Sequence, residues 1–389
     1  MFISKKIVNL SSLRDVVEKI IRSLIISRIQ GISINNVKMM DEELISSAET
    51  FKMPEKLDIF GQKHDYFSGY NCEIPAFFVR SIKRGKVVVG KEEIFTSDDQ
   101  VILEYTSQKK NPCVASYKGK LKKVRKIKGS VANLSLSGLE NNYYHWLTEC
   151  LGRYYLLEQS KFKPDFYILS SKLPFQRKYI EILNIDRERI LDIESNVVVQ
   201  ADELIIPSFI NNWEPVSFRG HVGYQKQWLP SWIGNIYQGK IVMAGLKNVN
   251  PPKNKIYISR AFAEHRKIEN EAELISLLRD NGYGIYHLEN MSVEEQIKLF
   301  STASIVLGAH GAGFSNIYFC PRSAIVCELF SEYYHDSSFK ILSNALGLRY
   351  NYVIGRTTNL SSIIPKKENL CIDLQKLTQV LNILNSQLN

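Results

Sequence analysis

Ile305-Val-Leu-Gly-Ala-His-Gly-Ala-Gly-Phe-Ser-Asn316 is a short apolar run that ends in three glycines, Gly308, Gly311 and Gly313, with His310 among them. An apolar run of this length bounded by glycines reads as a buried strand passing into a turn. Glycine permits backbone approaches that a Cβ forbids. If a helix follows, the N–H groups of its first turn lack intrahelical partners and favour an anion, phosphate above all. The stretch is neither G-x-G-x-x-G nor a Walker loop, because no Lys-Ser/Thr pair follows and the glycine spacing differs.

The flanking sequence places this turn in an α/β series. Upstream, Lys255-Ile-Tyr-Ile-Ser-Arg260 alternates like a strand, and residues 270–279 have helical spacing with acidic residues in the first turn. Gly282 stands where a C-terminal cap belongs. A short strand over 284–288 follows, then Ser292 with Glu295 three residues on, a capping box that opens a helix leading into the glycine strand. Another strand over 324–330 carries Glu328 near its end. Such a succession predicts a parallel sheet with helices on both faces, whose ligand sits at the carboxyl ends of the strands. Arg260, His310 and Glu328 all fall at or just after those ends.

Tyr257-Ile-Ser-Arg260, Arg266, Asn270-Glu271, Glu295-Gln296, Gly308-Ala-His-Gly-Ala-Gly313, Asn316 and Glu328 resemble, in order and spacing, the C-terminal pattern of family 61 glycosyltransferases. Asn142-Tyr-Tyr-His145-Trp-Leu-Thr-Glu149 with Arg153 resembles that family's N-terminal motif, in which the acid is more often Asp than Glu. The resemblance covers roughly residues 141–330. It includes bacterial capsule and exopolysaccharide enzymes, plant xylan enzymes and animal O-glycan enzymes. It implies an α/β fold of GT-B type, with two Rossmann-like domains facing a central cleft and an N-terminal helical/β extension. The expected division is an amphipathic segment over 1–45, an acceptor domain over 46–240, a donor domain over 241–370 and a helix over 371–389 that crosses back. It also implies an inverting mechanism and a nucleotide-sugar donor.

An inverting transferase needs a base for the acceptor hydroxyl and a cation or dipole for the departing phosphate. His145 and Glu149 lie four apart on a predicted helix and share a face. Glu149 occupies the motif's acidic position and is the first choice as base; His145 either orients it or is itself the base. Asn142 and Arg153 fall on the acceptor side, with Asn141 or Asn142 as helix cap. Arg260 is the best candidate for the leaving phosphate, since a guanidinium binds bidentately and stays charged. Arg266 comes second. His310 with Gly311, Ala312 and Gly313 is expected to hold phosphate or sugar, and Asn316 to cap the turn or bond the donor. Glu328 resembles the acid that takes ribose hydroxyls in many GT-B enzymes. No convincing Asp-x-Asp motif is present: Asp98-Asp99 and Asp192-Ile-Glu194 stand alone. Activity without a metal or other cofactor is therefore expected.

In 389 residues two domains are the natural expectation, and 44% hydrophobic with 23% charged residues is ordinary for a globular protein. No run of eighteen apolar residues and no leader-like start is present, and six scattered cysteines suggest free thiols, so a cytoplasmic location is expected. Shorter strands are read over 76–79, 86–89, 101–105, 114–117, 166–169, 196–199 and 203–206, with helices over 143–157, 176–183 and 374–384. Residues 245–253, with paired prolines, read as the connection between halves.

The net charge of +10 is concentrated in residues 118–128, either a solvated lysine face or a contact with anionic lipid at the inner membrane face. No nucleic-acid module accompanies it. Leu13, Val16, Val17, Ile20, Ile21, Leu24, Ile25 and Ile29 form one apolar helix face, suited to core packing, a homodimer or a membrane surface. A dehydrogenase is disfavoured by the missing dinucleotide fingerprint. The reading reached is a cytoplasmic bacterial glycosyltransferase that passes a sugar to a glycan or lipid-linked acceptor of capsule, lipopolysaccharide or exopolysaccharide; the alternative is a nucleotide- or glycan-binding scaffold of the same fold.

Overall fold

Ile305, Val306 and Leu307 continue into Gly308 and Ala309 without a polar residue after Ser304, and all seven residues of the strand Ala303–Ala309 are buried. A run of this kind suits a parallel strand covered on both faces. The computed structural model describes residues 31–38, 40–91, 93–105, 124–136, 138–210, 213–218, 221–226, 228–246, 252–358 and 367–388. In it, Ala303–Ala309 is the centre of a five-stranded sheet. The spatial order is Tyr283–Tyr286, Asn254–Ile258, Ala303–Ala309, Ile325–Phe330 and Arg349–Ile354, all parallel. In chain order this is 2-1-3-4-5, a doubly wound arrangement whose switch point lies between Asn254–Ile258 and Ala303–Ala309.

The local signals explain the connecting helices. Glu271–Asp280 ends at Gly282, which takes the left-handed φ of +78°. Val293–Ser301 begins with the reciprocal bonds of the capping box, Glu295 N–H to the Ser292 hydroxyl at 3.2 Å and Ser292 N–H to the Glu295 carboxylate at 2.7 Å. After the glycines the chain forms a 3-10 helix, Ala312–Phe319, rather than an α-helix.

The first half departs from a second Rossmann-like unit. Its ten-stranded sheet has a parallel part, Ile190–Leu191, Phe166–Ile168, Val124–Asn133 and Val198–Pro207, flanked by antiparallel strands. The separate strands expected over 196–199 and 203–206 are one strand, Val198–Pro207, with a register shift between Ala201 and Glu203. On its other edge it pairs antiparallel with Phe77–Lys83 and Lys86–Val88, which keep one register across Arg84 and Gly85. The strand expected over 101–105 is shorter, Val101–Ile102, and passes into a 3-10 turn.

The final helix, Leu374–Ser386, was expected to cross back to the first half. Its Leu377, Val380, Leu381 and Leu384 instead pack with Tyr257, Leu274 and Leu278 of the second half. A stretch of the first half makes the crossing. Phe67 stacks on Tyr352 with ring centres 3.8 Å apart, and the Ile59 N–H donates to the Tyr352 carbonyl at 3.1 Å. One apolar cluster runs from Phe51 and Phe67 through Trp146 and Tyr237 to Val306 and Tyr352, so both sheets share it.

The apolar face over 13–29, the strand over 114–117 and residues 118–123 of the basic run lie outside the described residues, as does part of the expected connection over 245–253. From residue 124 the basic run forms the start of Val124–Asn133, where Arg125, Lys126 and Lys128 are exposed.

Candidate functional site

Two parallel strands end side by side at Ile258 and Ala309, and the chain continues from them into Arg260 and Gly311. The Arg260 guanidinium lies against Gly311 so closely that a Cβ there would collide with Nη1. Arg260 Nη2 donates to the His265 carbonyl at 2.9 Å, while Nε has no hydrogen-bond partner among the described residues. Burial, aided by the charge of Arg266, brings Arg260 down to about 10, so it remains cationic at neutral pH. Arg266 takes a left-handed φ of +60°, and its guanidinium carbon sits 5.5 Å from the centre of the Tyr334 ring. Gly313 faces Leu288, whose Cδ1 is 2.9 Å from where a Cβ would stand. At the head of the 3-10 helix the N–H of Phe314 returns to the Gly311 carbonyl at 3.0 Å. Those of Ala312 and Gly313 belong to the first turn, where intrahelical acceptors are missing by geometry. The sheet thus places two guanidiniums and a bare glycine turn at its switch point.

Glu328 does not stand ready for a ribose. It is fully buried, Oε1 lies 2.8 Å from His310 Nδ1, and Oε2 accepts from the Tyr350 hydroxyl at 2.7 Å. Burial pushes its carboxyl up, against the pull of His310. With Glu328 ionised, the proton between them sits on Nδ1, which donates to the carboxylate. Glu328 therefore orients His310. Asn316 is likewise committed to the protein: its amide donates to Gln296 Oε1 at 2.9 Å and to the Gly313 carbonyl at 3.0 Å, and its carbonyl accepts from the Tyr143 hydroxyl at 2.9 Å. It ties the turn to the first half, and both of its amide protons are taken by the protein.

In the first half, the Asn142 side chain caps the helix by accepting from the N–H groups of Tyr144 at 2.9 Å and His145 at 3.3 Å. The helix then widens through a π turn at Trp146–Cys150 before regaining α geometry over Leu151–Glu158. Such turns recur at functional sites. His145 Nδ1 meets Glu149 Oε1 at 3.0 Å. Glu149 is almost wholly buried and His145 less so, at 1% and 9% exposure. The carboxylate thus backs the imidazole and does not itself face outward. Arg153, expected on the acceptor side, is fully buried: it donates to the carbonyls of Ser135 and Asn133 and stacks over Phe209. It secures the loop that leaves Val124–Asn133, because its i+4 spacing from Glu149 points it into the core.

Aromatic rings join the two His–Glu pairs. Tyr144 lies 5.4 Å from His145 and 5.3 Å from Phe339, and Phe339 lies 5.3 Å from His310. Asp336 stands in the same region. Burial works against its charge, but His310, Ser338 and Arg266 hold it below the ordinary carboxylate range. The sequence reading missed Tyr144, Tyr334, Asp336 and Phe339; the available signal was their place after the carboxyl end of Ile325–Phe330 or beside a motif histidine. A cavity of about 270 Å³ lined partly by Tyr237, Tyr318 and Arg322 touches none of these groups. Ser301 and Arg322 on its wall precede their strands, which places it at the opposite end of the second sheet.

Among the described residues no group of three or more His, Cys, Asp or Glu side chains is placed to hold a metal ion, and no helix is long and apolar enough to cross a membrane.

The chain is similar to known proteins. The chain is 31% identical over 106 residues to the EGF domain-specific O-linked N-acetylglucosamine transferase of Drosophila melanogaster, covering 26% of this chain and 20% of that protein. Over 133 residues it is 30% identical to protein O-linked-mannose beta-1,4-N-acetylglucosaminyltransferase 2 of Xenopus tropicalis, covering 31% and 23%. A beta-1,2-xylosyltransferase of Arabidopsis thaliana is 30% identical over 64 residues, covering 16% and 12%. The chain therefore spans less than a quarter of the length of these relatives. The family model described as Glycosyltransferase 61 matches residues 143–327, a little under half of the chain. That segment, which contains both motif histidines, belongs to the glycosyltransferase 61 family.

Proposed function

We propose that the chain is an inverting glycosyltransferase of GT-B type that takes a nucleotide-sugar donor. The observation that carries this reading is the connection of His145 to His310 through Tyr144 and Phe339, which brings the two family motifs to one place. In the reaction so proposed, His145 Nε2 removes the proton of the acceptor hydroxyl while Glu149 steadies the imidazolium that forms. The acceptor oxygen attacks the anomeric carbon from the face opposite the phosphate, and the bond from that carbon to the phosphate oxygen breaks. Arg260, with Arg266 beside it and the N–H groups of the glycine turn, takes up the charge released on the nucleotide. These cations supply what a divalent ion supplies elsewhere, which supports metal-independent turnover.

The acceptor in this reading is a glycan or lipid-linked sugar of a bacterial surface polysaccharide, and the enzyme works in the cytoplasm, at the membrane's inner face. Exposed Arg125, Lys126 and Lys128 are compatible with an anionic surface. A homodimer formed through the N-terminal apolar face is part of the same proposal.

Nucleotide release from a panel of UDP-, GDP- and CMP-sugars, in EDTA, tests the reading. Release from at least one donor, lost in Arg260→Ala and His145→Ala, is expected. Release from none overturns it, and activity that returns only with manganese overturns the metal-independent step.

A further inference from the structure

Glu328 is closed off by His310 and Tyr350, which leaves the nucleoside of a nucleotide sugar without the carboxylate expected for it. Another carboxylate stands at the same end of the sheet. The strand Tyr283–Tyr286 lies beside Asn254–Ile258 and parallel to it, so the residues after Tyr286 emerge next to those after Ile258. They are His287, Leu288 and Glu289. Leu288 packs against Gly313. Glu289 is exposed, and its charge reaches Arg260. In dinucleotide-binding doubly wound sheets an acid after the second strand takes a ribose hydroxyl of a nucleotide whose phosphates sit at the first, and Glu289 stands at the corresponding place.

The same edge carries an unusual apolar group. Phe262, two residues past Arg260, is 64% exposed although it is a large aromatic ring. Its ring centre lies 5.0 Å from that of His287. His287 Nδ1 is shielded from solvent and has no hydrogen-bond partner among the described residues. The two rings are tilted by 55°, so the exposed phenylalanine presents an apolar ring face braced by the imidazole. A nucleobase has matching chemistry, a π-face with polar atoms around its rim.

We propose that Phe262 and His287 form the shelf on which the nucleobase of the donor stacks, and that Glu289 accepts hydrogen bonds from its ribose hydroxyls. The nucleoside then lies outward over the end of Tyr283–Tyr286, and its phosphates reach inward to Arg260 and the turn at Gly311–Gly313. The proposal rests on the nucleotide-sugar reading above and adds the place of the nucleoside to it.

The test is calorimetric titration of the full chain with UDP, GDP, CMP, 2′-deoxy-UDP and inorganic pyrophosphate, on the wild type and on Phe262→Ala, Phe262→Trp and Glu289→Gln. All three substitutions fall on exposed side chains, and the thermal midpoint of each variant confirms its fold. Phe262→Ala is expected to weaken the preferred nucleotide roughly five- to hundredfold, with pyrophosphate unchanged and Phe262→Trp close to wild type. Glu289→Gln is expected to weaken the ribonucleotide more than the deoxyribonucleotide. A wild type that binds a nucleotide, with both Phe262→Ala and Glu289→Gln unaltered, overturns the shelf and leaves the transferase reading standing. A wild type that binds no nucleotide removes both.

Discussion

Arg260 and Gly311 are packed so tightly that the arginine occupies the space of a side chain the glycine lacks. Gly311 has φ 173° and ψ 166°, an extended backbone that any residue can adopt, so glycine is required for room and not for conformation. Gly311→Ala is therefore expected to keep the fold and displace the guanidinium, the mobile end of a long side chain. Nucleotide binding should fall by about tenfold or more, in line with the loss of a charge-assisted bond. Calorimetry with the preferred nucleotide checks it; unchanged affinity would mean that Arg260 does not hold the phosphates.

In the proposed reaction His145 and Glu149 have separate tasks, in keeping with their difference in burial. His145→Ala should lower kcat by roughly 10²–10⁴, the range for loss of a positioned base. Glu149→Gln keeps the packing but removes the charge that steadies an imidazolium. It should lower kcat less. A Glu149→Gln variant as inactive as His145→Ala would return the base to Glu149.

Asn316 links Tyr143 of the first half to Gln296 and Gly313 of the second. Asn316→Ala leaves the Gln296 carbonyl buried without its donor and should cost roughly 1–3 kcal/mol of stability. Urea unfolding reads the loss. Donor affinity of the folded fraction should stay within about twofold, because both amide protons and one oxygen lone pair are already committed to the protein; a collapse of affinity alone would support the donor role.

Lys340 provides a pH signature. It is buried and donates to the Phe67 carbonyl at 2.9 Å and the Ser68 carbonyl at 3.4 Å. Burial lowers it from 10.5 to about 8. Between those two values the unfolded chain binds more protons than the folded one, so this group makes stability rise with pH across that window. Below pH 8 the buried ammonium costs up to about 3 kcal/mol. Lys340→Met should flatten this part of the urea-midpoint profile between pH 7.5 and 10; parallel profiles for wild type and variant would show that the lysine is not strained.

Local pattern carried much of the second sheet and little of the first. The run 305–309 is continuous and apolar, and 325–330 is interrupted only by Glu328, because both faces of a parallel strand are covered, and Ser292 with Glu295 is a signal complete within four residues. Short strands such as Lys86–Val88 do not encode whether their partner is parallel, and the pairing with Val198–Pro207 is decided more than a hundred residues away. At the site, the sequence placed Arg260, His310 and the His145–Glu149 pair at strand ends and on one helix face. It could not tell that Tyr350 closes Glu328, that Tyr143 claims Asn316, or that Arg153 turns inward, since each depends on a neighbour brought by the fold.

The apolar cluster that runs unbroken from Phe51 to Tyr352 bears on how the two halves can move. Swinging one half away from the other would tear Phe67 from Tyr352 and open greasy surface to water, a penalty that grows with every square ångström exposed. In the proposed transferase, substrates would then enter along a rim whose width is set when the chain folds.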